Sequence, residues 1–332
     1  MTGKSRTSSP TIRDIARHAG VSLGTTSRAL NNQLGINDEL KARVLKAAEE
    51  LGYDFSNLRQ SKTIKRITFI YDRQHNTLSN NPFYSTVLHG VEDACNAEKI
   101  SLTFASTNPE ESITERLKRD DSDALLCVGA FEPEQLQEIR ELGIPVALID
   151  LWHPEMNNVN SDNFGGAYLL TGFLIERGYK RIAFICGPES HYSITQRRQG
   201  YRYALLTHHI EQDPDLEVFR EPIMQEVEGT DNAVKRLLKL KKRPDAIFCW
   251  NDATAIQAIQ SCVEAGLNVP EDIAIVGFDD LPTARTSFPP LTTVKINKEA
   301  LGRRGVELLL QRPAEPTQVI VPTQLVIRGS TL

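Results

Sequence analysis

The sequence predicts an α/β protein in which two doubly wound parallel-sheet subdomains follow a small all-α domain. From residue 66 onward, short apolar runs typical of buried strands alternate with longer helical patterns. Three short helical patterns, separated by glycines and polar residues, precede that region. The chain has 332 residues, which exceeds one small core, and its 40% of hydrophobic residues is ordinary for a globular protein.

The body of the chain supports this prediction run by run. Strand-like runs occupy residues 67–71, 101–105, 124–128, 146–150, 181–186, 246–250 and 273–277. Helical patterns occupy residues 83–99, 133–141, 162–177, 196–208, 231–241 and 252–265. Regular alternation of this kind predicts parallel sheets with helices on both faces.

The N-terminal patterns have recognisable helix boundaries. Thr11 and Asp14 suit the start of a first helix, which Gly20 ends. Ser22 suits the cap of a second helix, and Gly52 ends a third. Three short helices with a tight glycine-containing turn are typical of a helix-turn-helix.

The outward face of the second helix has a composition that suits DNA. It carries Ser22, Thr25, Ser27, Arg28 and Asn31. Small polar side chains let a helix lie close to phosphates, and an arginine can reach guanine O6 and N7 in the major groove. The alternative is a small helical bundle with a polar surface.

Charge is distributed unevenly along the chain. Residues 1–66 contain 12 Lys and Arg against 6 Asp and Glu, whereas the whole chain has a net charge of −5. A basic head on an acidic body indicates that only the head meets a polyanion. Charge alone fits a solvated helical surface equally well.

Cysteine usage and hydropathy exclude several classes of protein. The five cysteines are widely spread without a CxxC or metal-ligand spacing, so we expect reduced core thiols and neither a metal nor a cofactor. No apolar run is long enough to cross a bilayer, and no apolar stretch follows the basic N-terminus. We therefore expect a cytoplasmic protein.

Polar residues follow several predicted strands, where ligands bind in doubly wound sheets. They are Asp150, Asn251, Asp252, Asp279 and Asp280. Arg197 lies near the start of a helix after another strand. Carboxylates, amides and an arginine suit a ligand with adjacent hydroxyls. Taken singly, Asp252 suits a helix N-cap and Asp280 a turn.

The run of residues 11–22 (TIRDIARHAGVS), with Thr25, Ser27, Arg28 and Asn31, resembles the LacI/GalR (lactose-repressor) family of transcriptional regulators. The resemblance implies that Leu23, Gly24 and Arg28 read bases. It also implies that a set of polar residues holds the DNA backbone, namely Thr11, Ser22, Thr25, Ser27 and Asn31. Gly24 has no side chain with which to read a base, and Thr26 stands where an aliphatic residue is common.

The junction after the head departs from the family's pattern. Residues 52–62 (GYDFSNLRQSK) contain no proline, and Lys62 aligns with the leucine that wedges into the minor groove in that family. Leu58 could take that place if the hinge helix is shifted. A basic linker that touches phosphates is the alternative.

The resemblance extends through the body. Residues 80–84 (NNPFY), 178–183 (GYKRIA), 197–201 (RRQGY), 276–280 (VGFDD) and 289–294 (PPLTTV) have counterparts. It implies a periplasmic-binding-protein-like fold with a small effector between two subdomains. Arg197, Asn251 and Asp279 match the family's effector-binding residues, and Asp150 and Phe83 are additional cleft candidates. Trp250 suits either stacking on a sugar ring or a filled core position.

The resemblance also implies partners. Residues 280–290 (DLPTARTSFPP) are most similar to the galactoside-responsive branch, which makes a galactose-type sugar or a galactoside the first candidate effector. Paired heads on a palindromic operator imply a homodimer, and no heptad tail follows residue 328.

We therefore expect a helix-turn-helix domain in residues 1–57, a hinge in 58–65, and an effector-binding and dimerisation domain in 66–332, with crossovers near 161, 295 and 318. The predicted function is a sugar-controlled, sequence-specific transcriptional regulator, and the resemblance implies that it acts as a repressor. One alternative is a cytoplasmic or transport-associated sugar-binding protein without a regulatory role. Another is an enzyme with Asp279 and Asp280 as an acid/base pair, which no nucleophile or metal cluster accompanies.

Overall fold

A computed structural model describes residues 10–30, 36–53, 55, 64–72, 82–107, 112–189, 191–219 and 226–332. The head contains three helices: α1 (Ile12–Ala19), α2 (Leu23–Leu30) and α3 (Asp38–Glu50). Their shared core is small and consists mainly of aliphatic side chains: Ile15, Ala19, Ala29, Val44, Ala47 and Ala48. Gly20 takes a left-handed conformation (φ 65°) at the end of α1, which turns the chain into α2.

The first subdomain of the body contains a six-stranded sheet. Its elements before the first crossing are β1 (Arg66–Asp72), α4 (Pro82–Ala97), β2 (Ser101–Thr107), α5 (Ile113–Asp120), β3 (Ala124–Val128), α6 (Pro133–Glu141), β4 (Val146–Ile149) and β5 (Asn157–Ser161). Its later elements are α12 (Lys298–Gln311) and β11 (Gln318–Val321). The strand order is β11-β5-β4-β3-β1-β2, and every pairing is parallel.

The second subdomain contains a four-stranded parallel sheet of order β7-β6-β8-β9 and an antiparallel pair, β10 and β12. Its elements are α7 (Asn163–Glu176), β6 (Ile182–Cys186), α8 (Tyr192–Thr207), β7 (Glu217–Phe219), α9 (Glu226–Leu238), β8 (Ala246–Cys249), α10 (Asp252–Glu264), β9 (Ala274–Val276), α11 (Pro282–Thr286), β10 (Thr293–Ile296) and β12 (Thr323–Val326). A one-turn 3-10 helix, Pro214–Leu216, precedes β7. The predicted fold class is confirmed.

The chain passes between the two subdomains three times: after β5, between β10 and α12, and between β11 and β12. Each of these passages joins the carboxyl end of a strand to the other subdomain. Because ligands bind beyond the carboxyl ends of parallel strands, the facing strand ends form the cleft between the subdomains.

Helix α12 packs against α4 at close backbone distance. A Cβ atom on Gly90 of α4 would overlap the carbonyl oxygen of Glu299, and one on Gly302 of α12 would overlap that of Val87. Glycine at these positions therefore lets the two helices approach. Both helices belong to the first subdomain although about 200 residues separate them in the sequence.

We expect Gly90→Ala to destabilise the body of the protein by roughly 1–3 kcal/mol, because the new methyl group meets backbone that cannot move aside. That cost exceeds the gain of about 1 kcal/mol in helix propensity. Urea unfolding followed by circular dichroism measures the change. Gly24→Ala is the matched control, since the nearest atom to its new Cβ is Ser22 Oγ at 3.9 Å. An unchanged midpoint for Gly90→Ala would contradict the packing.

Candidate nucleic-acid interface and ligand cleft

The first turn of α1 is fixed by a capping interaction. The backbone amide and the hydroxyl of Thr11 donate to Asp14 Oδ2 at 2.8 and 2.6 Å. These hydrogen bonds, first that of the hydroxyl, hold the pKa of Asp14 below its ordinary value. His18 Nε2 lies 2.8 Å from Glu50 Oε2 and so links the end of α1 to the end of α3. The sequence-predicted Thr11 therefore positions α1.

Helix α2 presents the predicted DNA-contacting residues. Ser22 Oγ accepts from the amide of Thr25 at 3.1 Å, as expected of an N-cap. Leu23 is 48% exposed, and Gly24 and Arg28 are exposed beside it. Arg28 Nε donates to the carbonyl of Gly24 at 3.2 Å, so in this structure the side chain lies along its own helix.

The remaining residues of α2 include one that the sequence marked as unusual. Thr26 is buried, and its hydroxyl donates to the carbonyl of Ser22 at 3.0 Å, so a polar group replaces an aliphatic one without losing a partner. Ser27 is half-buried. Asn31 and Leu58, also predicted to contact DNA, lie outside the described residues, as does most of the predicted hinge.

A buried arginine lies beside the strand ends of the second subdomain. Arg197 of α8 is 3% exposed. Its guanidinium donates to Asn163 Oδ1 at 2.9 Å, to the carbonyl of Trp250 at 2.6 Å and to Asp279 Oδ1 at 3.0 Å. It also lies 4.0 Å from the centre of the Phe278 ring. Of its five N–H groups, one on each terminal nitrogen has no acceptor among the described residues, so both can serve a ligand.

Asp150 approaches the cleft from the end of β4. Its Oδ2 accepts from the hydroxyl of Tyr84 on α4 at 2.9 Å. Burial, followed by the nearby charge of Asp150, raises the pKa of Tyr84 well above its ordinary value, so this hydroxyl keeps its proton. Phe83 packs edge-to-face on Tyr84, with ring centres 5.0 Å apart. The structure therefore groups Phe83 and Asp150, both predicted from the sequence, on the first subdomain.

Three aspartates at strand ends have left-handed backbone conformations. The φ angles are 57° at Asp150, 112° at Asp279 and 51° at Asp280. Non-glycine residues adopt such angles at a cost, and they cluster at ligand sites where the surroundings hold them in place. Two of these aspartates, Asp150 and Asp279, are the predicted cleft carboxylates.

The structure corrects the expectation for the start of α10. Asn251, not Asp252, is the N-cap, because its Oδ1 accepts from the amide of Thr254 at 2.8 Å. The NH2 group of Asn251 has no hydrogen-bond partner among the described residues, so it can donate to a ligand. Asp252 is fully buried. Its carboxyl oxygens accept hydrogen bonds from the amide of Leu281 at 2.7 Å and from the hydroxyl of Thr293 at 2.5 Å. Asp252 therefore fixes the loop that carries Asp279.

Burial, reinforced by the charge of Asp279, raises the pKa of Asp252 to about 8. An ordinary aspartate in the unfolded chain titrates near 4, so folding takes up a proton between those values. The resulting stabilisation is complete below pH ~4 and is lost as the pH rises toward 8, at about 1.4 kcal/mol per unit of pKa shift. We expect Asp252→Asn, which mimics the protonated group, to remove this part of the pH dependence.

Urea midpoints at pH 5 and pH 9 measure that difference. Asp252→Asn is expected to match the unsubstituted protein at pH 5 and to exceed it at pH 9. Asp231→Asn on α9 is the control, because the half-buried Asp231 has a pKa below its ordinary value: burial raises it, and the hydrogen bonds from Ser261 and Gln257 outweigh that effect. Equal losses between pH 5 and pH 9 in Asp252→Asn and the unsubstituted protein would contradict the assignment.

Lys298, at the start of α12, is a buried cation that sequence reasoning missed. Its ammonium group donates to the carbonyls of Asp279, Asp280 and Ile296. It lies 5.9 Å from the centre of the Phe83 ring. Burial lowers its pKa, and the facing carboxylates of Asp279 and Asp252 oppose that shift. It lies two residues after β10, which is not among the strands predicted from the sequence, so no predicted strand end pointed to it.

Two tryptophans border the cleft. Trp250 is half-buried against Gly187, and its indole Nε1 has no partner among the described residues. Trp152, which sequence reasoning missed, is 43% exposed in the loop after β4. Its ring stacks on Tyr192 of α8, with centres 6.2 Å apart and planes 15° apart, so the pair joins the two subdomains. Its place two residues after Asp150 is the signal that could have found it.

The adjacent carboxylates of Asp279 and Asp280 have different partners. Asp279 pairs with Arg197 at 3.0 Å, whereas Asp280 pairs with Arg328 at 2.5 Å. The latter pair fixes the C-terminal segment to the loop. An acid/base pair needs both groups on one substrate, and this geometry divides them. Among the described residues no cluster of His, Cys, Asp and Glu could hold a metal ion, and no helix could span a membrane.

A helix-turn-helix head and a ligand cleft on one chain are typical of a DNA-binding regulator with a small-molecule effector. Comparisons with known proteins identify the family. Residues 11–55 match the model of bacterial regulatory proteins of the lacI family, and residues 171–331 match that of the periplasmic binding protein-like domain. The chain is 33% identical to the ribose operon repressor of Escherichia coli (strain K12) over 316 residues, which cover 92% of this chain and 94% of that protein. It is 32% identical to the HTH-type transcriptional repressor PurR of Haemophilus influenzae (strain PittEE), with coverages of 96% and 98%.

Solved structures show the same architecture. The transcriptional regulator CelR–cellobiose complex superimposes with a TM-score of 0.74 at 28% identity, over 97% of this chain and 99% of that one. The lac repressor dimer bound to operator superimposes with a TM-score of 0.72 at 23% identity, over 98% and 100%. The chain belongs to the lacI family of bacterial regulatory proteins. It is a DNA-binding transcriptional regulator, not an enzyme.

Proposed function

We propose that this protein is a cytoplasmic repressor that binds a palindromic operator as a homodimer and responds to a small sugar in its cleft. The observation that carries the ligand assignment is the buried Arg197–Asp279 pair, 3.0 Å apart, which presents both donors and acceptors. Adjacent hydroxyls both donate and accept, so a polyol satisfies such a pair. Asp150 and Asn251 supply an acceptor and an amide from opposite sides.

The DNA assignment rests on the exposed face of α2. Arg28 is its strongest candidate for a base contact, Leu23 and Gly24 lie beside it, and Ser22, Thr25 and Ser27 suit the phosphate backbone. We extend the backbone contacts to Thr11 and Asn31 and give Leu58 the minor-groove position. Two-fold symmetry follows from pairing two such faces on one operator.

Several effectors are compatible with this cleft. The segment 280–290 favours a galactose-type sugar or a galactoside, whereas the relatives named above carry the names of ribose, purine and cellobiose regulators. The half-buried Trp250 offers a surface for a sugar ring. A sugar-binding protein without a regulatory role would leave the capped, exposed α2 without a purpose, so regulation is the preferred function.

A thermal-shift screen of the full chain tests the proposal with galactose, lactose, ribose, cellobiose and a purine base. A true effector binds only the folded state, so at a concentration of about 100 Kd it stabilises the protein by about 2.7 kcal/mol. We expect one of the sugars to raise the melting temperature. A shift with the purine base alone would replace the sugar by a different effector class.

A further inference from the structure

We propose that the cleft selects an uncharged, hydroxyl-bearing effector and rejects phosphorylated and acidic sugars, because among the described residues its cations already have partners within the protein and one of its carboxylates has no cationic partner. This inference rests on the proposed function. It concerns the charge of the effector.

The first cation, Arg197, is neutralised within the protein. Asp279 lies 3.0 Å from its guanidinium, and both groups are buried, so their interaction is weakly screened. Two further acceptors, Asn163 Oδ1 and the carbonyl of Trp250, take other N–H groups. A phosphate at this position would gain two hydrogen bonds and would also meet the carboxylate of Asp279.

The second cation, Lys298, is enclosed by acceptors. An ammonium group has three N–H donors, and three carbonyl oxygens receive them here, those of Asp279, Asp280 and Ile296. Arg328, the third cation nearby, is paired with Asp280 at 2.5 Å. An anionic ligand would have to displace one of these internal partners to reach either positive charge.

Asp150 is a buried carboxylate that forms no ion pair with any described residue. Its Oδ2 accepts from the neutral hydroxyl of Tyr84, and no lysine, arginine or histidine among the described residues forms an ion pair with it. The carboxylate is nonetheless buried. It therefore needs donors from a ligand, and sugar hydroxyls provide them, whereas a ligand anion would be repelled at short range.

One helix end beside the cleft has two of its backbone amides engaged within the protein. At the N-terminus of α10 the amide of Thr254 donates to Asn251 Oδ1, and the amide of Asp252 donates to the carbonyl of Phe278 at 2.9 Å. Phosphates bind helix N-termini through such amides, and these two are occupied. What the cleft offers is acceptors at Asp150 and paired donors at Arg197, which matches a neutral polyol.

Calorimetric titration of the full chain tests this with matched ligands: galactose against galactose 6-phosphate and galacturonate, and ribose against ribose 5-phosphate. For whichever parent sugar binds, we expect each anionic derivative to bind at least tenfold more weakly. An anionic derivative that binds as tightly as its parent would overturn the inference and leave the sugar proposal intact. Binding of neither parent sugar, together with no shift for any sugar in the thermal screen, would overturn both.

Asp150→Asn tests the cause. Because Asp150 contacts the ligand, the readout is the ratio of neutral to anionic affinity, which we expect to fall at least fivefold. Glu155→Gln is the control, since Glu155 lies in the same loop but is exposed and paired with Arg140 at 2.7 Å. An unchanged ratio in Asp150→Asn would overturn the role given to this carboxylate, and the ligand series on the unsubstituted protein is decisive if that variant does not fold.

Discussion

Arg28→Ala is expected to abolish the preference for operator over random DNA while leaving weak, salt-dependent binding. The side chain is exposed on α2, next to the capped turn that would meet the major groove. A bidentate arginine–guanine contact discriminates by about 1–3 kcal/mol, so each half-site should lose about 5- to 150-fold in specificity. Electrostatic contacts to phosphates supply the remaining affinity.

Titration of labelled operator and of a scrambled duplex, at two salt concentrations, measures this effect. Arg43→Ala provides a charge-matched control, because Arg43 is exposed on α3 and its loss removes the same charge from another surface of the head. That variant should weaken binding to both duplexes alike. If Arg28→Ala kept its ratio of operator to scrambled affinity, Arg28 would not be the base-reading residue.

Arg197→Lys is expected to abolish the response to the effector and to leave operator binding intact. Lysine keeps the charge that Asp279 needs but cannot reproduce three N–H directions toward Asn163, Trp250 and Asp279 while serving a ligand. We expect effector affinity to fall at least 100-fold, which is about 2.7 kcal/mol. Arg197→Ala is less informative, because loss of one partner from a buried ion pair destabilises a protein by roughly 3–5 kcal/mol.

The next residue provides the control. Arg198 lies on the same helix but pairs with Glu217 at 2.7 Å and Glu189 at 3.0 Å. Arg198→Lys should therefore keep the response to effector in titrations of operator binding. If Arg197→Lys also responded with unchanged sensitivity, the effector would not contact the Arg197–Asp279 pair.

The sequence was sufficient for the fold class because its signals are periodic and local. The runs at 67–71, 124–128 and 246–250 became β1, β3 and β8. Helix α12 was missed for the opposite reason. Gly302 and Gly305 interrupt its helical pattern, and the structure shows that Gly302 is required by the close contact with α4. That contact joins segments far apart in the sequence, so no local pattern reports it.

The sequence predicted most of the residues that line the cleft, but it did not predict how they contact one another. Asp150, Arg197 and Asp279 were found because strand ends and family resemblance point to them. The sequence suggested Asp252 as the N-cap of α10, but α10 begins one residue earlier and Asn251 is the N-cap. Asp252 instead holds the neighbouring loop from its buried position. Trp152 and Lys298 acquire their roles only through partners on the other subdomain.

The most direct test of the account is the affinity of the full chain for its operator with and without the sugar found by the thermal screen. Coupling between two sites typically changes affinity 5- to 150-fold, and by linkage the operator must change the affinity for the sugar by the same factor. We predict a change of at least about fivefold, reciprocal in both titrations and absent in Arg197→Lys. An operator affinity that is the same with and without a bound sugar would contradict the central claim that this cleft controls the DNA-binding head.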